Sequence, residues 1–188
     1  NIVFDTEPVY YAILIAAQQY EDPNIPTLQN PRRDALQLGQ ILSSSYHFLP
    51  EHMDTLFNRS REDIMAAIVK RSSVLKENDN LLIFYAGHGY AEKDKFGDVD
   101  GYWIPTSARK DLTASYISTE DINKAIKRSN AKHILVIADA CFSGAMTRAL
   151  PPDAAKEINR QYLSASRKVM ASGNLEPVPA NSKFIFYL

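Results

Sequence analysis

Short, nearly continuous apolar runs recur along the chain and alternate with segments of mixed polarity. Runs of this kind are typical of strands that are covered on both faces, because neither side of such a strand meets water. The clearest run fills residues 9–17, and two later runs begin at Leu81 and His133. Shorter runs at residues 53–57 and 169–172 predict two further strands. The pattern therefore predicts a sheet built from buried strands.

Three segments between the strands have helical periodicity, and each has a capping residue at its start. The capping positions are Asn30 followed by Pro31, Ser60 with Asp63 three residues on, and Ser118 with Asp121 three residues on. Each segment also carries an apolar stripe on one side. The stripes consist of Ala35, Leu36, Leu38, Ile41 and Leu42 in the first, Ile64, Ala67, Ile68 and Leu75 in the second, and Ile122, Ala125 and Ile126 in the third.

Alternating strands and helices favour an α/β fold, in which a mostly parallel central sheet carries helices on both faces. We therefore predict a three-layer α/β sandwich. The polar, glycine-punctuated segment 91–101 interrupts the alternation and predicts a mobile loop or a small hairpin. No internal repeat or low-complexity tract is visible. A length of 188 residues fits one domain with a full core, which we place at residues 1–188.

Two of the apolar runs end in small residues around one reactive side chain each. The run from Leu81 leads to His88, and the run from His133 leads to Cys141, 53 residues later. In an open parallel sheet, functional groups collect beyond the carboxyl ends of the strands. If the two strands are neighbours, a base and a nucleophile lie side by side, which is the outline of a site for cysteine-based nucleophilic catalysis.

Each of these side chains also has a purely structural interpretation. A lone cysteine in an apolar run is usually a buried packing residue, and a histidine there is often bonded to the backbone. Cys141 sits at the end of its run, where Phe142-Ser143-Gly144 leads into a loop or helix start. Backbone N–H groups at such a position lower a thiol pKa and bind a developing oxyanion. Glycines at 87 and 89 remove side-chain cover from His88 and favour close approach of a substrate.

Composition narrows the class of protein. Apolar residues make up 45% of the chain and charged residues 23%, with a net charge of −1. This composition is that of a globular domain and gives no basic surface for nucleic acid or for an anionic membrane. The longest apolar runs fall far short of the roughly 20 residues that span a bilayer. One cysteine forms no internal disulfide, which fits a reducing compartment, and we expect a cytoplasmic location.

The ends of the sequence favour a longer parent protein. The chain begins at Asn1 and stops inside the apolar run 184–188. We therefore expect a piece of a multidomain protein, with regulatory domains or a partner outside it. We expect a protein or peptide substrate and neither nucleic acid nor membrane as a partner.

No metal or cofactor motif is apparent. The acidic positions Asp94, Asp98 and Asp100 raise the possibility of calcium, but their spacing is not that of an EF-hand loop and favours a solvated loop. The remaining histidines, which are His47, His52 and His133, have no zinc-ligand spacing with Cys141. We expect no cofactor. Calcium activation stays an open alternative, although no specific motif indicates it.

The segments Tyr85-Ala86-Gly87-His88-Gly89 and Asp139-Ala140-Cys141-Phe142-Ser143-Gly144 resemble those of the caspase-like peptidases, in the branch of metacaspases, paracaspases and bacterial caspase homologues. Caspases also place a histidine about 50 residues before the cysteine. The resemblance runs from Tyr11 to Leu188 and implies a caspase-like fold. It implies His88 and Cys141 as a catalytic dyad and the backbone amides of Gly89 and Cys141 as the oxyanion hole. No third catalytic side chain is implied.

Two aspartates carry the specificity that the resemblance implies. Asp139 stands where the caspases proper have glutamine, whereas the metacaspase and paracaspase branches have aspartate there and cleave after basic residues. Asp34 falls where those branches carry a second specificity acid. The alternatives are a strand-end cap for Asp139 and, for Asp34, a first-turn charge favoured by the helix dipole.

The expected function is a cysteine endopeptidase that cleaves after basic residues, with arginine preferred over lysine. Two alternatives remain. One is a catalytically inactive caspase-like module that recruits partners. The other is a hydrolase or transferase that uses the same dyad on another acyl group.

Overall fold

The computed structural model describes residues 7–93, 95, 99–140, 142–143 and 166–172. The strands are β1 Tyr10–Ala16, β2 Met53–Phe57, β3 Asn80–Ala86, β4 Gly89–Lys93, β5 Val99–Trp103, β6 Ile117–Ser118, β7 His133–Asp139, β8 Phe142–Ser143 and β9 Ser166–Ser172. The helices are α1 Pro31–Ser45, α2 Arg61–Val74 and α3 Thr119–Lys127, with short 3₁₀ turns at Pro50–His52 and Thr113–Ser115. The strand predicted at 53–57 is β2. The strand predicted at 169–172 is the later part of β9, which begins at Ser166.

A five-stranded sheet forms the centre, in the order β2-β1-β3-β7-β9, and all its neighbouring pairs are parallel. Alternate residues of β1 enter different layers. Ile13 and Ile15 pack in the cluster that contains the buried residues of α2 and α3, whereas Leu14 packs with those of α1. Both faces of the strand are therefore covered, which explains why its sequence is continuously apolar. The predicted α/β fold with a mostly parallel central sheet is confirmed.

The first helix differs in detail from its predicted stripe. Leu36 is 45% exposed and Ile41 is only partly buried, whereas Asp34 and Gly39 are buried. At about 100° per residue, positions 34, 35, 38, 39 and 42 share one face, and Leu36 falls outside it. Asn30 occupies the N-cap position without a capping hydrogen bond from its side chain.

The other two predicted helix starts are confirmed by hydrogen bonds. Ser60 Oγ accepts from the Asp63 backbone N–H at 3.1 Å, and Ser118 Oγ accepts from that of Asp121 at 3.0 Å. In α2, Ile64 and Ile68 are buried as predicted, while Ala67 is only partly so. In α3 all three predicted apolar residues are buried.

A second, four-stranded sheet has the order β6-β5-β4-β8. Strands β4 and β5 pair antiparallel, so the segment predicted as a loop or small hairpin is a hairpin. Phe142 and Ser143 form β8, which pairs in parallel with β4. The expectation of a loop or helix start directly after Cys141 is therefore wrong at these two positions. Chain pairing across 53 residues has no local sequence signal, so the short strand was not predictable.

Several predicted features lie outside the described residues. They are Cys141 itself, Asp94 and Asp98 of the acidic segment, and the two ranges 144–165 and 173–188. None of the described helices is long and apolar enough to cross a bilayer.

Candidate active site

His88 lies in the turn between β3 and β4, at the carboxyl end of a central strand. Its Nε2 is 2.8 Å from the backbone carbonyl oxygen of Pro26. A carbonyl oxygen only accepts hydrogen bonds, so in the neutral ring Nε2 carries the proton and donates it. The lone pair is then on Nδ1, which is the nitrogen able to act as a base.

The loop that carries Pro26 is fixed by backbone hydrogen bonds at both ends. The Glu21 N–H donates to the Thr106 carbonyl at 2.9 Å, and the Leu28 N–H donates to the Gln18 carbonyl at 3.0 Å. Between these bonds, Ile25 is buried in a small cluster with Ile104 and Ala108. The carbonyl of Pro26 therefore belongs to a loop that is hydrogen-bonded at both ends and packed between them, which keeps this oxygen beside His88.

Two tyrosines surround the backbone of His88. The ring of Tyr20 lies against the imidazole, with ring centres 5.1 Å apart at 40°, and its Oη accepts from the His88 N–H at 3.0 Å. Tyr85 Oη donates to the His88 carbonyl at 2.7 Å. Burial raises the pKa of Tyr20 to about 12 and also raises that of Tyr85, so both hydroxyls stay protonated at neutral pH.

The register of the two sheets is known on both sides of Cys141, which itself lies outside the described part of the chain. Ala86 pairs with Asp139 in the central sheet, and Gly89 pairs with Phe142 in the smaller one. Both pairs have the same sequence offset of 53 residues (139 − 86 and 142 − 89), which is also the offset between His88 and Cys141. The two-residue segments 87–88 and 140–141 thus have equal length, and paired residues flank each of them on both sides.

The glycines around His88 have separate structural reasons. A Cβ on Gly87 would lie 2.5 Å from Tyr85 Oη and 3.0 Å from Ala17 Cβ, so this position has no room for a side chain. Its N–H donates to the Asp139 carbonyl at 3.4 Å. Close packing is therefore a structural reason for Gly87, and the open access for substrate that we expected stays a prediction. Gly89 is buried as the first residue of β4, next to His88.

Asp34 and Asp139 lie near enough to interact electrostatically. Asp34 is in the first turn of α1 but is only 6% exposed, and Asp139 is the partly buried last residue of β7. Burial is the main cause that raises the pKa of Asp34, and the negative charge of Asp139 adds to it. The Arg33 guanidinium, with Nε 3.5 Å from Asp34 Oδ1, opposes the shift. An exposed helix-end charge does not have this environment.

Metal ligation has no support in the part of the chain that is described. No group of three or more His, Cys, Asp or Glu side chains in those ranges is arranged to hold an ion. His52, for instance, packs against the ring of Tyr11 at 4.7 Å between ring centres.

Sequence reasoning missed three groups around His88, namely the Pro26 carbonyl, Tyr20 and Tyr85. A backbone carbonyl leaves no trace in a side-chain pattern. Tyr85 offered one weak signal, because it carries the only hydroxyl in the otherwise apolar run 81–86.

The caspase domain model matches residues 10–187 of the sequence. The chain belongs to the caspase domain family. This membership confirms the resemblance drawn from the segments around His88 and Cys141, and the domain has the fold of caspase-like cysteine peptidases.

Solved structures agree with this family assignment at the level of the fold. A crystal structure of a protein from Geobacter sulfurreducens has a TM-score of 0.59 and 22% identity, over 83% of this chain and 64% of that one. The structure of pro-sf-caspase-1 has a TM-score of 0.55 and 10% identity, over 78% of this chain and 51% of that one. The caspase domain described here thus matches less than two thirds of either chain. No curated protein matched the sequence.

Proposed function

We propose that this caspase domain is a cysteine endopeptidase in which Cys141 is the nucleophile and His88 the general base. The observation that carries the proposal is the register of β3 with β7 and of β4 with β8. The pairs formed by Ala86 with Asp139 and by Gly89 with Phe142 bracket the two segments of the dyad at one offset. Family membership supplies the reaction class, since the family model spans the whole pairing region.

The proposed reaction uses the geometry of His88. Nδ1 takes the proton of the Cys141 thiol, and the thiolate sulfur attacks the scissile carbonyl carbon to form a tetrahedral intermediate. As the C–N bond breaks, the imidazolium returns its proton to the leaving amine and leaves a thioester. Water, deprotonated by the same nitrogen, then hydrolyses the thioester. Throughout, the bond from Nε2 to the Pro26 carbonyl keeps the ring oriented and stabilises its protonated form.

The developing oxyanion requires N–H donors beside the nucleophile. In the proposal these are the backbone amides of Gly89 and Cys141. The start of β4 directly after His88 puts Gly89 at the same end of the sheet as the dyad segments, which supports its part in the role.

We propose a primary pocket built on Asp34 and Asp139, which selects arginine over lysine at the residue before the cleaved bond. Their electrostatic interaction and the burial of Asp34 support a shared site. Two carboxylates suit the planar guanidinium of arginine, which forms paired, charge-assisted hydrogen bonds, better than the point charge of lysine. An aspartate substrate side chain is repelled there.

The test is a peptide library varied at the residue before the cleaved bond, assayed with wild type, Asp139→Asn and Cys141→Ala. Arginine peptides should be cleaved best by wild type and not at all by Cys141→Ala. Asp139→Asn should lower their kcat/KM by orders of magnitude, since truncating one partner of a buried charge pair costs about 2–5 kcal/mol. Asp54→Asn is the matched control, because Asp54 on β2 pairs with Arg71 of α2, and the variant should leave the preference unchanged.

Four outcomes contradict parts of the proposal. Preference for aspartate peptides, or an arginine preference untouched by Asp139→Asn, refutes the pocket. Alkylation of Cys141 without cleavage of any peptide favours an enzyme for another acyl group. Absence of both alkylation and cleavage favours an inactive recruitment module.

A further inference from the structure

The peptide groups of His88 are not part of either sheet, because β3 ends at Ala86 and β4 begins at Gly89. Their partners come largely from tyrosine side chains. The N–H of His88 donates to Tyr20 Oη at 3.0 Å, and the carbonyl accepts from Tyr85 Oη at 2.7 Å and from the Ile104 N–H at 3.0 Å. The main chain of the proposed base is thus held from both sides by hydroxyl groups.

Each hydroxyl has one proton, which fixes the direction of these bonds. Tyr20 Oη lies 3.0 Å from the Ala17 carbonyl, which can only accept, so Tyr20 donates there and accepts from His88. Tyr85 Oη has two carbonyls within reach, that of His88 at 2.7 Å and that of Ile104 at 3.0 Å. The shorter bond is to His88, which is therefore the favoured acceptor.

Both tyrosine rings are locked by packing. Tyr85 is fully buried and stacks on Trp103, with ring centres 4.5 Å apart and planes within 3° of parallel. The Tyr20 ring packs directly against the imidazole of His88. A buried hydroxyl is unfavourable unless it is bonded, and an apolar residue would fill the Tyr85 site without that requirement.

We propose that Tyr20 and Tyr85 are positioning residues that hold the main chain of His88, so that its imidazole keeps the orientation required of the general base. The catalytic part of this inference rests on the function proposed above. Tyr20 acts on both the main chain and the ring of His88, and Tyr85 acts on the main chain alone. General-base catalysis requires the base to stay within hydrogen-bond reach of its proton, and a displacement of 1 Å lowers rates about a hundredfold.

The test compares Tyr20→Phe and Tyr85→Phe with Tyr116→Phe. Tyr116 is a matched control, because it is buried and its Oη donates to the Lys110 carbonyl at 2.6 Å, with no contact to His88 among the described hydrogen bonds. Cleavage of an arginine peptide should show kcat lowered by about tenfold to a hundredfold in the first two variants, with KM within about twofold of wild type. Tyr116→Phe should lower thermal stability to a similar extent and leave kcat unchanged.

A second measurement does not depend on peptidase activity. The rate of Cys141 alkylation by iodoacetamide is followed against pH, because it reports the thiolate fraction. A poorly placed imidazole stabilises the thiolate less, so the midpoint of the profile should move to higher pH in Tyr20→Phe and not in Tyr116→Phe. In the same samples, hydrogen exchange of the His88 amide should accelerate at least about tenfold in Tyr20→Phe, since its acceptor is gone.

These readouts separate the two proposals. A wild type that cleaves no peptide refutes the peptidase function, and the alkylation and exchange data then decide the positioning role by themselves. Identical kcat, alkylation midpoint and His88 exchange in Tyr20→Phe and Tyr116→Phe overturn the positioning role. If Tyr85→Phe does not fold, the partly exposed Tyr20 decides the outcome alone.

Discussion

The imidazole of His88 is bonded through Nε2 to the backbone carbonyl oxygen of Pro26, at 2.8 Å and 62 residues away in sequence. The bond determines which ring nitrogen carries the lone pair and therefore which one can act as a base. It also supplies, from the main chain, the orienting group that a third catalytic side chain provides in other nucleophile–histidine sites. The sequence resemblance implied no third catalytic side chain, and the Pro26 carbonyl oxygen is the group that orients the imidazole.

The tautomer of His88 is the first prediction. In Cys141→Ala, where no thiolate partner is present, the neutral ring should be protonated on Nε2 and unprotonated on Nδ1. Nitrogen-15 NMR of the imidazole at alkaline pH measures this directly, with exposed His47 as the internal reference. Protonation on Nδ1 in the neutral ring would rule out the bond to Pro26 as the orienting contact.

Removal of either member of the proposed dyad should abolish or strongly reduce cleavage while the domain stays folded. Cys141→Ala changes one small side chain, so we expect an unfolding free energy within about 1 kcal/mol of wild type. His88→Ala should lose most activity as well, because the base for the thiol and the acid for the leaving amine are the same group. Turnover rates and thermal unfolding check both. Near-wild-type turnover in Cys141→Ala would exclude it as the nucleophile.

Ionisation of the Asp34 carboxyl should lower the stability of the folded domain. Its pKa is raised in the fold, mainly by burial, so the folded state holds the proton more tightly than the unfolded state. Stability therefore falls as pH rises from the unfolded pKa, about 3.9, through the raised folded value. At neutral pH the ionised carboxylate opposes folding, and Asp34→Asn should raise Tm while lowering cleavage after arginine.

The measurement is thermal unfolding from acidic to neutral pH. The advantage of Asp34→Asn should shrink as pH falls and the native carboxyl becomes protonated. Asp22→Asn is the control of opposite sign, because hydrogen bonds from the N–H groups of Lys110 and Asn24 lower the pKa of Asp22. That variant should not raise Tm at neutral pH. A lower Tm for Asp34→Asn at pH 7 would mean that Asp34 forms a net stabilising interaction.

Gly87→Ala should damage both the fold and the site. The new Cβ meets Tyr85 Oη at 2.5 Å, and the stacked ring of Tyr85 has no room to move away from it. Overpacking of this kind costs about 1–3 kcal/mol. Gly39→Ala is a suitable comparison, because its Cβ would meet only the methyl end of Leu14, at 3.0 Å, and should be tolerated better.

A double-mutant cycle, measured by chemical denaturation, tests whether the Tyr85 hydroxyl causes the destabilisation by Gly87→Ala. Tyr85→Phe removes the atom nearest to the new methyl group, so Gly87→Ala should be less destabilising in that background than in wild type. Equal penalties in the two backgrounds would show that the Tyr85 hydroxyl is not the obstacle.

The sequence alone determined the strands of the central sheet and most of the helix starts. Continuous apolar runs marked β1, β3 and β7 because both faces of these strands are covered, and Ser60 and Ser118 marked helix starts because their hydroxyls satisfy unpaired N–H groups. Since β3 and β7 are both buried and parallel, His88 and Cys141 could be assigned to ends of two central strands. These features depend on residues close together along the chain.

The tertiary structure decided which distant groups surround those strand ends. It brought Pro26 and Tyr20 to His88 and Asp139 into electrostatic range of Asp34, and it paired Phe142 with Gly89. Each of these contacts joins positions far apart along the chain, and one uses a carbonyl oxygen that every residue has. Local periodicity holds no information about such contacts, because they follow from how the loops and the second sheet pack onto the first.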